Sequence, residues 1–201
     1  MTAESHRAPR GRVTVVSRMA VVVPAVALVL ALAACTIGEE QPTPPPAEAP
    51  ADFKVTYEWR AGTMPPPYHY EYTVTAGPGA AGDVRFTPNY PGDDVPVWTE
   101  ELDITPEQMK ALYGVVVQQR LLRNDWRELP SPPVGGSVEW AVIEANGQKY
   151  TIPTALEDAD ATAAAPLYEM VRAQIVPQAT WEKLQGQRQE YEEDYLAKQG
   201  E

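Results

Sequence analysis

The sequence predicts an α+β domain, in which an antiparallel sheet of about six strands has one face covered by helices, with a further helix at the C-terminus. Three observations predict it. Residues 53–60 alternate apolar and polar without a break, which is typical of a strand with one buried and one solvated face. After Thr105 the apolar residues recur at helical spacing. Alternation then returns on both sides of Asn146-Gly147, so strands precede and follow the first long helix.

Four strands are predicted before that helix. The second continues the alternation of the first over residues 68–73 and pairs with 53–60 as an antiparallel hairpin. Two shorter strands are predicted over 83–87 and 95–101, on either side of the turn-rich segment 88–92. Between the second and third strands, residues 77–82 match the pattern G-x-G-x-x-G. Because a strand pattern follows the third glycine where a nucleotide site needs a helix, we predict a hairpin loop there.

The first helix is predicted from about residue 106 to 122. Thr105-Pro106-Glu107-Gln108 has the composition of a capping box, with proline at the first helical position. Apolar residues then recur at helical spacing: Met109, Leu112, Tyr113 and Val116.

A two-residue turn at Asn146-Gly147 predicts the register of the last hairpin, because both positions of a type I′ turn require positive φ. It places Ala145 opposite Gln148, and the pairing continues residue by residue to Ala141 opposite Ile152. One face then carries the apolar residues Ala141, Ile143, Tyr150 and Ile152, and the other carries the pair Glu144 and Lys149.

Two helices are predicted after this hairpin. The first begins near Pro166 and extends to Ile175. The second is capped by Thr180 and is weakened in its middle by Gly186. Its apolar stripe consists of Trp181, Leu184, Tyr191 and Tyr195.

The first 35 residues have the layout of an export signal. Four arginines, at positions 7, 10, 12 and 18, precede an uncharged run over 19–34 that is too short for a comfortable membrane span. The run ends in Leu32-Ala33-Ala34-Cys35, which resembles the lipobox of bacterial lipoproteins. That resemblance implies acylation of the Cys35 thiol and cleavage just before it. The alternatives are an uncleaved signal anchor or a buried cysteine that happens to follow two alanines.

This resemblance divides the chain into three parts. Residues 1–34 form the signal peptide, and residues 35–51 contain the lipid-bearing Cys35 and a proline-rich tether that stays extended. Residues 52–201 form a single domain. The expected location is extracytoplasmic, with contact to the cell membrane through lipidated Cys35. Two acyl chains hold a domain at the membrane, whereas a domain with a single chain would dissociate.

Charge and cysteine content exclude several classes of function. The chain carries a net charge of −12, and removal of residues 1–34 leaves 12 basic and 27 acidic residues, a net of −15. Such a surface repels phosphate backbones, so we do not expect nucleic-acid binding. The single cysteine cannot form a disulfide within the chain.

Tyr68, His69, Tyr70 and Glu71 are the candidate binding residues. His69 is the only histidine left after signal removal, which excludes an H-E-x-x-H motif and any two-histidine metal site. His69 and Glu71 share a face of the predicted strand, either as a titrating pair beside the tyrosines or as a solvated face over a tyrosine core. The acidic clusters lack the pattern of a calcium loop and are interpreted as solvated charge, so we predict no metal and no cofactor.

Three functional hypotheses remain. The first is a non-enzymatic envelope module that binds a protein, a peptide or a small apolar ligand, because no set of nucleophile, base and orienter is recognisable. The second is an envelope hydrolase using carboxylates or His69, which needs two acids meeting in one cleft. The third is a structural surface spacer.

Overall fold

The computed structural model of the chain describes residues 48–131 and 135–200. The six strands are β1 Lys54–Arg60, β2 Glu71–Ala76, β3 Ala81–Thr87, β4 Trp98–Asp103, β5 Val138–Ala145 and β6 Gln148–Ile152. They form one antiparallel sheet in the order β4-β3-β2-β1-β5-β6. The helices are α1 Pro106–Gln118, α2 Asp158–Met170 and α3 Gln178–Gln199, and a π-helical turn, Val171–Ile175, continues α2. The α+β prediction is confirmed. The predicted signal peptide, Cys35 and tether residues 36–47 lie outside the described residues.

One face of the sheet carries the core. The strand side chains alternate between buried and partly exposed positions, as the period of a strand requires. All three helices pack on the buried face, each through an aromatic contact to a strand or, for α1, to the residue just before β1. These contacts are Phe53 with Tyr113 of α1, Tyr57 with Tyr168 of α2, and Tyr72 with Trp181 of α3. The opposite face carries polar residues and ion pairs such as Lys54 with Glu144.

The signals with local physical causes are confirmed. Thr105 accepts a hydrogen bond from the Gln108 nitrogen, and the Gln108 side chain accepts one from the Thr105 nitrogen, which completes the capping box. Asn146 and Gly147 have φ of 55° and 71°, as a type I′ turn needs, and the β5–β6 register is the predicted one throughout. The predicted hairpin loop forms over residues 77–80, with a short 3₁₀ turn at Pro78–Ala80, and β3 begins at Ala81, two residues earlier than predicted.

The second and fourth strands begin three residues later than predicted. β2 begins at Glu71, because Pro65, Pro66 and Pro67 have no N–H to donate and the chain turns instead, with the Tyr68 nitrogen bonded to the Pro65 carbonyl at 2.9 Å. β4 begins at Trp98, beyond Pro96, for the same reason. Tyr68 and His69 therefore lie in a loop, and their predicted placement in a strand is wrong.

Helix α1 ends four residues earlier than predicted. Arg120 adopts a positive φ of 55°, and the Leu121 nitrogen bonds back to the Val116 carbonyl at 2.9 Å while the Arg120 nitrogen bonds to Val117. This is a Schellman motif with arginine in the position that glycine usually takes. Leu121 is thereby buried completely. Without a glycine, no sequence signal marks this end.

The predicted starts of the last two helices are also wrong. Helix α2 begins at Asp158, and Pro166 lies inside it. Alanines favour helix before the proline, and the acidic residues of the first turn suit the positive end of the helix dipole. Helix α3 begins at Gln178 directly after Pro177, so Thr180 lies in its first turn rather than at its cap.

Asp160 is an exception to the prediction that the acidic clusters are solvated. Its side chain is 5% exposed and lies between Arg123, at 2.8 Å, and Arg127, at 3.3 Å. The Arg127 backbone N–H donates to it at 2.8 Å. This backbone bond, followed by the two guanidinium groups, lowers the pKa of Asp160 to about 2. The carboxylate thus ties α2 to the segment that follows α1.

Candidate functional site

The two ends of the sheet differ in construction. At one end, called here the entry end, residues 48–53 lead into β1 beside the 3₁₀ turn, the Thr105 cap and the Asn146-Gly147 turn. At the opposite end, called here the far end, the loops 61–70 and 88–97 meet the segment 135–137, as the strand register requires. A strand of seven residues separates the two ends by about 20 Å.

A cavity of about 470 Å³ lies at the far end. Loop 88–97 contributes Asn89, Tyr90 and Asp94 to its lining, and the last turns of α3 contribute Tyr191 and Tyr195. Its volume is in the range of small-molecule sites. The cavity therefore combines three tyrosines with polar groups at a junction of loop and helix.

Asn89 organises this cavity from within. The side chain is only 5% exposed, and its Oδ1 accepts a hydrogen bond from the Tyr90 nitrogen at 2.8 Å. Its Nδ2 donates to the hydroxyl oxygen of Tyr191 at 3.3 Å. Because a buried amide is costly unless bonded, these partners hold loop and helix in one arrangement.

The ring of His69 packs against one face of the Tyr90 ring. The two rings are stacked with centroids 3.8 Å apart and an interplanar angle of 6°. The Tyr90 hydroxyl donates to the Met64 carbonyl at 2.8 Å. His69 is 4% exposed, and its Nδ1 lies 3.4 Å from the carbonyl oxygen of Gly62. His69 thus supports the wall of the cavity, and the prediction that it lies on a solvated strand face is wrong.

Charged groups surround the opening. Asp94, Asp194 and Lys198 line the cavity, and all three are exposed. Two carboxylates and one ammonium group thus lie around the opening. The carbonyl end of the 22-residue helix α3 lies in the same region, since Asp194 and Lys198 belong to its last two turns. The local field therefore favours positive charge.

The four candidate residues from the sequence are not brought together. Tyr68 is 40% exposed in its loop, and His69 is buried against Tyr90. Tyr70 lies on the helix-covered side, with its ring 4.7 Å from Trp59 and below the Arg188 guanidinium. Glu71 points to the opposite face of the sheet, where Arg60 binds it at 2.7 Å. No His69–Glu71 pair forms.

A second polar cluster lies beneath the π-helical turn. Tyr57 donates to Glu139 at 2.6 Å, and Arg172 donates to both Tyr57 and Glu139. Burial, reinforced by the bond to Glu139, raises the pKa of Tyr57 well above its ordinary value, and burial raises the pKa of Tyr72 to about 12. These phenols are poor proton donors and poor bases at neutral pH. The cluster joins the π-helical turn to β1 and β5.

Over residues 48–131 and 135–200, no three histidine, cysteine or carboxylate side chains are grouped so that they could hold a metal ion. In the same part of the chain, no helix has the length and apolar character needed to span a bilayer.

Comparison of the sequence with protein-family models and with curated proteins finds no match.

The residues that build the cavity were not predicted as a site from the sequence. Residues 88–92 were predicted as a turn, and Tyr191 and Tyr195 were predicted to lie on an apolar stripe. Asn89 and Tyr191 are 102 positions apart. The one signal available was that stripe, since two tyrosines continue it beyond Leu184, the only fully buried residue that α3 has.

Proposed function

We propose that this chain is a bacterial envelope lipoprotein, held at the membrane by acylated Cys35, whose domain is a non-enzymatic binding module with the far-end cavity as its site. The anchoring rests on the Leu32-Ala33-Ala34-Cys35 motif and the signal-like segment before it. The binding role rests on one observation: three tyrosines line a cavity that is organised by the buried Asn89. Aromatic walls with a few placed polar groups are the usual composition of a ligand site.

The position of the cavity is compatible with the same proposal. Residues 48–53 lead into the entry end, and the cavity lies at the far end, about 20 Å away along β1. The cavity is thus at the opposite end of the sheet from the residues that follow the proposed tether. A pure spacer would need no buried amide to hold such a cavity.

The anchor is tested by mass spectrometry of the full chain expressed in a bacterial host. We expect the mature protein to begin at Cys35 and to carry acyl chains, and the variant Cys35→Ala to be neither acylated nor cleaved at that position. An unmodified residue 35 in the native chain would contradict the anchoring.

The binding role is tested by thermal-shift screening of the purified full chain against a library of envelope metabolites. At least one compound is expected to raise the melting temperature, and Tyr195→Ala should abolish that shift. Tyr68→Ala is the matched control, because Tyr68 is an exposed far-end tyrosine outside the cavity lining. A shift that survives Tyr195→Ala would place the binding elsewhere, and no shift with any compound would contradict the module.

The envelope hydrolase is the second candidate, and one observation favours it. Asp94 and Asp194 line the same cavity, which meets the requirement for two acids in one cleft. Both are exposed, however, whereas a carboxylic acid that donates a proton at neutral pH needs desolvation. Hydrolysis of chromogenic glycosides by the wild-type chain, lost in both Asp94→Asn and Asp194→Asn, would establish this activity in place of simple binding.

A further inference from the structure

We infer that the far-end cavity takes a small organic cation, with an amine or quaternary ammonium group seated against Tyr90, Tyr191 and Tyr195. The inference rests on the proposed binding role and names the ligand class of that site. It is carried by the ring arrangement, the balance of charge and the end of helix α3, each of which favours a cation independently.

The tyrosines supply pre-arranged aromatic surfaces. One face of Tyr90 is covered by His69, and its hydroxyl is bound to Met64, so the ring cannot swing away from the cavity. Tyr191 is held by Asn89, and its ring centroid lies 6.2 Å from that of Tyr195 at 37°. Tyrosine faces attract cations through the ring quadrupole, and fixed rings spare the entropy of ordering them on binding.

The charges around the opening select for a positive ligand. Asp94 and Asp194 outnumber Lys198 in the lining. The two carboxylates would repel an anionic ligand, and they would have no ionic attraction for a neutral ligand. The net charge of the whole chain, −12, has the same sign and draws cations towards the domain.

Helix α3 adds a third contribution. The carbonyls of its last turn lack the i+4 partners that earlier turns have, although the Gly200 nitrogen donates to the Ala197 carbonyl at 3.2 Å, and they carry partial negative charge. Asp194 and Tyr195 lie about one turn from that end, and Tyr191 lies one turn earlier. A cation beside Tyr195 therefore lies near the end of the helix that favours positive charge.

Two cavities at the entry end provide a contrast. One has a similar volume, about 470 Å³, but its only aromatic lining residue is Phe53, and its charged residues Glu48 and Lys110 balance each other. The other, of about 690 Å³, has an excess of carboxylates, three against Lys54, but no aromatic side chain. The far-end cavity combines both features.

The test compares choline with 3,3-dimethylbutan-1-ol, which has the same shape without the charge, by titration calorimetry on the full chain in non-ionic detergent. We expect choline to bind about tenfold more tightly than the alcohol. Asp194→Asn and Tyr195→Ala should each weaken choline binding by about fivefold. Glu193→Gln makes the same charge change one residue away from Asp194, outside the lining, and should have little effect.

Each outcome separates this inference from the proposed function. Equal affinity for choline and the alcohol would overturn the cation preference and leave a binding cavity in place. Choline binding that Glu193→Gln weakens as much as Asp194→Asn would show a diffuse charge effect, which also overturns the inference. No choline binding, with a library compound still dependent on Tyr195, would overturn the ligand class alone.

A further arm distinguishes a free cation from a lipid headgroup. Glycerophosphocholine carries the same ammonium group together with a phosphate, which Asp94 and Asp194 would repel. We expect it to bind more weakly than choline, which identifies a free cation as the ligand. Tighter binding would identify a choline headgroup as the source of the same ammonium group.

Discussion

The entry end and the far end of the sheet are built from different kinds of interaction. At the entry end, turns are held by residues close in sequence, such as Thr105 with Gln108, together with longer links such as those from Asp52 to the Asn146 and Gly147 nitrogens. At the far end, the contacts join segments from distant parts of the chain, such as Asn89 with Tyr191 and His69 with Tyr90. Local chemistry thus organises much of the entry end, whereas the candidate site depends on the completed fold.

The largest effect is expected from Gly62→Ala at the far end. An added Cβ would lie 2.8 Å from the Gly136 nitrogen and closer still to its carbonyl, and backbone cannot yield as a side chain can. We expect the free energy of unfolding to fall by about 2 kcal/mol or more, measured by urea denaturation. A variant as stable as the wild type would show that the far end is loosely packed and does not depend on close contacts between distant segments.

At the entry end, Thr105→Ala should lower the free energy of unfolding by less than Gly62→Ala does. The substitution removes the acceptor for the Gln108 nitrogen but leaves the core of α1 intact. The expected loss is about 1 kcal/mol in the same urea experiment. Thr105→Ser keeps the hydroxyl and serves as the control, so an equal loss in both variants would argue against capping as the cause.

Gly186→Ala should raise stability by about 0.5 kcal/mol or slightly more, because alanine favours helix and nothing lies within 4 Å of the new methyl group. Gly186 lies between Leu184, which is buried on the sheet, and Tyr191, which lines the cavity. Amide hydrogen exchange should slow on both sides of residue 186. Slowing on the N-terminal side alone would show that the cavity half of α3 behaves independently.

The smallest effect concerns pH at the entry end. The pKa of Asp52 is lowered from its ordinary value of 3.8, first by the Gly147 N–H and then by the Asn146 N–H. Its contribution to stability is therefore present above pH 3.8 and is lost as the pH falls through the lowered pKa. The Gly147 amide proton shift in an NMR titration reports this step. Asp52→Asn should lack it, and a midpoint at or above the ordinary value would refute the contact.

The same contrast explains what the sequence could predict. The capping box and the Asn146-Gly147 register were predictable because each follows from the φ preference or hydrogen bonding of a few consecutive residues. The fold class followed from the periods of apolar residues. Such signals act over a few positions, so they describe elements rather than how distant elements meet.

The candidate site was not predictable in this way. The tyrosine alternation over 68–72 favoured a strand, but the backbone of Pro65, Pro66 and Pro67 cannot join a ladder, and His69 became buried in a loop. The place of Asn89 depends on Tyr191, which approaches only once α3 crosses the sheet. Arg120 in a left-handed conformation and Pro166 within α2 are likewise tolerated because tertiary packing outweighs local preference.

Helix α3 makes the site separable from the fold. Leu184 is its only fully buried residue, and the segment beyond it contributes rings to the cavity and little to the core. An exopeptidase that trimmed the chain back past Tyr191 would remove one wall of the cavity and leave the sheet, α1, α2 and the first part of α3. In the proposed binding module, such clipping would abolish ligand binding while the domain remained folded.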